Sequence, residues 1–172
     1  QKALKLENPR IGLLSNGEEE GKGNQLIRDT DALLRQLSMN YIGNVEPKDV
    51  MREAVDVIVA DGFLGNIFVK TFEASVSLVS HAIRDEIRAN PVTSLGGLLA
   101  TPAFQRVRKR TDTFEIGGAP LLGVNGVVII GHGRSNAMAV RNAARQAALA
   151  VEGDIISAIR TGLQELEGVI HN

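Results

Sequence analysis

The chain has 172 residues, 44% of them apolar, with a formal net charge of −1 and no cysteine. That length suits one domain with a sizeable core, or part of a larger one. The charge balance offers no excess of Lys and Arg for nucleic acid, and the lack of cysteine excludes disulfides, thiolate zinc sites and a cysteine nucleophile. No apolar run approaches the ~20 residues of a membrane span and no signal peptide is visible, so a cytoplasmic protein is expected. Gln1 is not Met, and Gln1–Asn8 is a short polar lead into a core strand, which suggests a fragment of something longer.

The segment Ile11–Ser15 reads as a strand, followed by a polar, glycine-bounded loop over 16–23. Asn24 caps a helix with the stripe Leu26, Ile27, Leu33, Leu34 and Leu37. Tyr41–Val45 is a weaker strand, and Pro47 opens a short helix to about Ala54. Val55–Ala60 is an apolar strand, Asp61–Asn66 a glycine turn, and Asn66 the N-cap of a long helix with apolar residues at 68, 72, 76, 79, 83 and 87. That helix ends before Asn90-Pro91.

Residues 91–112 break this rhythm and are expected to protrude: Val92–Phe104 is apolar and glycine-containing, and Arg106, Arg108, Lys109 and Arg110 form a basic cluster. Phe114–Gly123 is a glycine-rich loop. Val127–Ile130 is the most convincing buried strand, an alanine-rich helix follows over 136–151, and a last helix spans about 154–167. Alternating strands and helices predict an α/β fold with a parallel or mixed sheet flanked by helices. In such folds ligands gather outside the carboxyl ends of the strands. Loops 16–24, 61–66 and 131–136 each follow a strand and precede a helix, so all three are expected on one rim.

Each loop carries chemistry suited to an anion. In 61–66, outward backbone N–H groups stand beside the positive end of a helix dipole, and Lys70 lies one turn on, on the face of Asn66. Asp61, Gly62, Gly65 and Asn66 are the candidates there, although Asp-Gly is also simply a good turn. In 16–24, Asn16, Gly17, Lys22, Gly23 and Asn24 form a second candidate cradle, with Glu18 orienting Lys22; the alternative is a solvated charged loop. Consecutive glutamates point in different directions, so no metal is expected. In 131–136, His132 sits between Gly131 and Gly133 and is suited to proton transfer near neutrality. Ser135 and Asn136 cap the next helix or bind phosphate oxygens. Gly-His-Gly-x-x-Asn is a damaged dinucleotide fingerprint without the strand and acidic residue that should follow, and no nucleophile elbow surrounds Ser135. Direct attack of one substrate on another is then the economical mechanism.

Taken together, Leu13–Asn24, Tyr41–Glu46, Val59–Asn66, Gly117–Gly123 and Gly131–Ala137 strongly resemble the carboxyl-terminal half of bacterial phosphate acyltransferases, the PlsX family of phospholipid synthesis. The resemblance implies transfer of a fatty acyl group from an acyl-carrier-protein thioester to inorganic phosphate, without a cofactor. It implies an isocitrate/isopropylmalate dehydrogenase-like fold, here incomplete, a homodimer, and a cytoplasmic enzyme touching the membrane peripherally. The family's chain is about twice as long, and its amino-terminal Asp-Ala-Met-Gly-Gly-Asp motif does not occur here.

That reaction fits the residues: backbone N–H groups with Lys70 or Lys22 hold phosphate, Gly117 and Gly118 belong to the substrate-binding set, and His132 stabilises the oxyanion or protonates the leaving thiolate. Leu95, Leu98, Leu99 and Phe104 beside the basic cluster are read as a membrane contact, with a dimer or carrier-protein contact as the alternative. Competing functions are a coenzyme A-dependent phosphate acetyl- or butyryltransferase and a non-catalytic anion-binding fragment.

Overall fold

The computed structural model describes the backbone of residues 6–111 and 117–170, with side chains described for 6–107 and 117–164. In chain order the elements are β1 (Ile11–Leu14), α1 (Gln25–Leu34), β2 (Tyr41–Val45), α2 (Pro47–Met51), β3 (Val57–Val59), α3 (Gly62–Arg88), α4 (Pro91–Thr111), β4 (Ala119–Pro120), β5 (Ile129–Ile130), α5 (Ala137–Glu152) and α6 (Ile155–Ile170). The chain divides into two compact units, Gln1–Phe68 with Gly153–Asn172, and Val69–Glu152.

The first unit is built on a three-stranded parallel sheet of order β2-β1-β3. Its central strand is buried, with Leu13 and Leu14 packing beside Val45 and Ile27. Gly12 is required there: a Cβ would lie 2.7 Å from both methyls of Val45. At the amino edge, Arg10 donates to both carboxylate oxygens of Asp56 (2.8 and 2.9 Å), and its backbone N–H donates to the same group at 2.8 Å. These bonds tie the start of β1 to the residue before β3 and hold the Asp56 carboxyl down at about 2. On α1 the inward stripe is Ile27, Asp31 and Leu34, while Leu26 and Leu33 remain exposed. Asp31 is buried, which by itself raises its pKa, but hydrogen bonds from Arg35 and Tyr41 outweigh burial and lower it. That contact fixes α1 to β2.

Local chemistry sets most boundaries as expected. Asn24 accepts from the Ile27 amide at 3.0 Å and starts α1. Asp49 accepts the Glu46 amide at 2.8 Å ahead of Pro47. Asn90-Pro91 ends α3 as expected but also starts α4, which was not expected: Asn90 accepts from the Thr93 amide at 3.0 Å and Pro91 takes the first helical position. Asn136 accepts from Ala139 at 2.9 Å and starts α5.

Three expectations are corrected. The long helix α3 begins at Gly62 rather than after Asn66, because the Asp61 carboxylate accepts both the Phe63 and Leu64 amides at 2.9 Å. Asp61 is therefore the N-cap, and Asn66 is an exposed residue in the helix body. Segment 91–111 is a continuous helix despite Pro102. Gly97 lets it approach α3, since a Cβ would run into the Ile87 side chain. Lastly, β5 does not join the parallel sheet: it pairs antiparallel with β4, and Ile130 is 53% exposed. The strand expected to be most buried is an edge ribbon of the second unit, against α5. The basic residues Arg108, Lys109 and Arg110, and loop residues 114–116, fall outside the described side chains.

Candidate functional site

The carboxyl edge of the parallel sheet carries two of the three loops. A cavity of about 190 Å³ opens there between the starts of α1 and α3, lined by Leu13, Leu26, Ile27, Val59, Asp61 and Leu64 among others. Its walls are mostly apolar side chains, with the Asp61 carboxylate and the Thr30 hydroxyl as the polar groups. This edge is where a parallel sheet places ligands, because helix N-termini face it.

Loop 16–24 is tightly organised. Gly17 is buried, and a Cβ on it would come 3.0 Å from Cγ of Lys22, so the lysine stem lies across this glycine. Gly21 and Gly23 sit at φ +82° and +93°, in the left-handed region that favours glycine. The Lys22 amide donates to the Glu19 carbonyl at 3.2 Å. Glu18 does not orient Lys22: its carboxylate is 2.7 Å from Nζ of Lys48 on α2, and Glu46 is 2.6 Å from the same ammonium. Bonds to Glu18 and Glu46 raise the Lys48 pKa. Lys48 was not singled out from sequence, since it is local to neither loop. Asn16 and Asn24 are exposed at the two ends of the loop, and Asn24 is engaged as the α1 cap.

Beneath this loop two buried polar atoms have no protein partner. They are Oγ of Ser15 (4% exposed residue) and Oδ1 of Asn44 (8% exposed residue). An unpaired buried polar group costs about 1–3 kcal/mol, and native structures retain few of them. The signal available in the sequence was a Ser and an Asn at the carboxyl ends of two otherwise apolar strands.

At the start of α3, Asp61 fills two of the amides expected to face an anion. Gly62 and Gly65 occupy the first turn, where a Cβ on Gly62 would meet open space and one on Gly65 would be 3.5 Å from Ala60 Cβ. Asn66 lies exposed beyond them. Lys70 belongs to the second unit. Its ammonium is 3.7 Å from Glu73, one turn toward the carboxyl end, rather than directed back along the helix.

The third loop lies in the second unit and follows β5, which pairs with β4 and not with the parallel sheet. Nδ1 of His132 accepts the Arg134 amide at 3.1 Å. A neutral ring held this way carries its proton on Nε2. The Ser135 amide donates to the His132 carbonyl at 2.9 Å, and its Oγ is a third buried polar atom without a partner. Gly133 has open space where a side chain would stand. Gly117 and Gly118 have a packing function: at Gly117 (φ +88°) a Cβ would lie 2.7 Å from the Ala139 carbonyl oxygen, and at Gly118 2.7 Å from the Ile130 carbonyl.

Leu95, Leu98 and Leu99 are 61%, 69% and 77% exposed on α4, and Phe104 is exposed on the same helix. Among the described residues no helix is long and apolar enough to cross a membrane, and no group of three His, Asp or Glu could hold a metal ion.

Residues 1–158 match the model of a family described as "Fatty acid synthesis protein". The chain is 45% identical over 169 residues to a phosphate acyltransferase of Elusimicrobium minutum, covering 98% of this chain and 50% of the relative. It is 46% identical over 160 residues to that of Carboxydothermus hydrogenoformans, covering 93% and 48%. Over 143 residues it is 49% identical to that of Trichlorobacter lovleyi, covering 83% and 41%. The chain thus spans about half the length of the curated relatives it matches. With the family model matched across most of its length, this chain belongs to the fatty acid synthesis protein family.

Proposed function

We propose that this chain is the carboxyl-terminal half of an enzyme that transfers a fatty acyl group from an acyl-carrier-protein thioester to inorganic phosphate, within an isocitrate/isopropylmalate dehydrogenase-like fold. The observation that carries it is the carboxyl edge of the parallel sheet, where the Asp61 turn and the start of α1 line a mostly apolar cavity and the Lys22 loop follows β1. Relatives named phosphate acyltransferase support the same reading.

In this mechanism a phosphate oxygen attacks the thioester carbonyl carbon, and the C–S bond breaks as the tetrahedral intermediate collapses. The protein's task is to desolvate and aim the anion, a proximity effect. Lys22 supplies positive charge for phosphate. His132, protonated on Nε2, donates to the developing oxyanion or to the departing sulfur. The exposed leucines of α4, with Phe104, form the peripheral membrane contact of a cytoplasmic homodimer.

The test is acyl phosphate formation by a full-length enzyme carrying this half. Lys22→Ala and His132→Ala should each lower kcat roughly a hundredfold or more, with unchanged circular dichroism. Near-normal turnover in both defeats the assignment. Turnover with acyl-coenzyme A but not acyl-carrier protein moves the enzyme to the acetyl- or butyryltransferase class. The half-length span favours one further reading, an anion-binding fragment, which binds phosphate but forms no acyl phosphate when mixed with the other half.

A further inference from the structure

Side chains alternate along a strand, so Ser15 projects on the face of Leu13, whose register partner in β2 is Asn44. Ser15 still belongs to the ladder, since its amide donates to the Val45 carbonyl at 2.9 Å. The two unpaired buried atoms, Ser15 Oγ and Asn44 Oδ1, therefore share one face at the carboxyl edge. The orientation of the Asn44 amide is fixed because its Nδ2 donates to the Glu19 carbonyl at 3.3 Å. Oδ1 is then an acceptor without a donor, and the Ser15 hydroxyl is a donor without an acceptor.

A fully deprotonated oxyanion satisfies only the hydroxyl. A hydrogen phosphate satisfies both: P–O⁻ accepts from Ser15, and P–OH donates to Asn44. We infer that Ser15 and Asn44 form the floor of an inorganic phosphate pocket that reads the anion's proton, covered in this conformation by loop 16–24. The inference rests on the phosphate reading above and deepens it from charge to specificity. Sulfate, with the same shape but no proton at neutral pH, leaves Asn44 unpaired. The cover is lightly held. Toward β2 and α2 its tethers are the long Asn44–Glu19 bond and the exposed Glu18–Lys48 ion pair, while Arg28 and the Asn24 cap anchor its α1 end; its glycines at 21 and 23 occupy unusual backbone angles. Lifting it uncovers the floor and carries Lys22 with it.

The experiment titrates inorganic phosphate, then sulfate, into the 172-residue chain by calorimetry. The chain is compared with Ser15→Ala and Asn44→Leu, all checked by circular dichroism. The expected result is a saturable phosphate response weakened about tenfold or more in each variant, and sulfate at least about tenfold weaker than phosphate in the unaltered chain. Should Asn44→Leu not fold, Ser15→Ala decides. Phosphate affinity that survives Ser15→Ala assigns the pair to a buried water and overturns this inference alone. Equal affinity for sulfate overturns the proton-reading role. No phosphate response from the unaltered chain removes the pocket, while acyl phosphate formation by the full-length enzyme decides the phosphate reading separately.

Discussion

Replacing Asp61 separates its role as a helix cap from its role as a charge. Its carboxylate accepts two amides, from Phe63 and Leu64, both at 2.9 Å, at the head of the 27-residue helix α3. Loss of an N-cap costs about 1 kcal/mol within a range of roughly 0.5–2. Loss of a negative charge at a helix N-terminus costs about 0.3–1 kcal/mol more. Asp61→Ala should therefore cost about 1–2 kcal/mol, and Asp61→Asn, which keeps the acceptor, only a few tenths. For a chain of this size that is a fall in Tm of about 2–8 °C for Ala and about 1–2 °C for Asn. Thermal unfolding followed by circular dichroism at pH 7 measures both. If Asn destabilises as much as Ala, charge and not hydrogen bonding holds this end, and the cap assignment is refuted. If neither shifts the midpoint, the helix does not begin at Gly62 in solution.

Two further outcomes follow from the geometry. Gly117→Ala forces a left-handed backbone residue, costing about 1–2 kcal/mol, and pushes a methyl into the backbone of α5, costing about 1–3 more. Its urea midpoint should drop steeply, and a neutral effect would return Gly117 to the substrate-binding set. For Asp56, the folded carboxyl is held at about 2 by hydrogen bonds from Arg10, below the ordinary value of about 3.9. Because the folded value is depressed, the stabilisation is present above about pH 4 and is lost as pH falls toward 2. Titration of the Asp56 carboxyl by NMR should show the low midpoint, and Arg10→Ala should restore an ordinary one.

What could be read from the chain alone was local. Asn24 and Asn136 cap amides within four residues and Pro47 fixes its own φ, so these three helix starts could be placed without knowing the fold, whereas Asn90-Pro91 signals by itself only the end of a helix. The apolar runs at 11–14, 41–45 and 57–59 are strands for the same reason. Where two local signals competed, the sequence did not decide. Asp61 and Asn66 are both good caps, and glycines at 62 and 65 argue against a helix turn, yet Asp61 starts the helix. Residues 91–111 hold Gly96, Gly97 and Pro102, poor helix formers, but Gly97 is what allows α4 to close on Ile87.

Partners far apart in sequence were settled only by tertiary structure. The pairing of β5 with β4 instead of the parallel sheet, Glu18 with Lys48 rather than Lys22, and Gly117 with the backbone of α5 all depend on which surfaces meet. The same holds for Ser15 and Asn44, each an ordinary polar residue at a strand end. Only the register of β1 on β2 buries both on one face and leaves each without the hydrogen bond that burial demands.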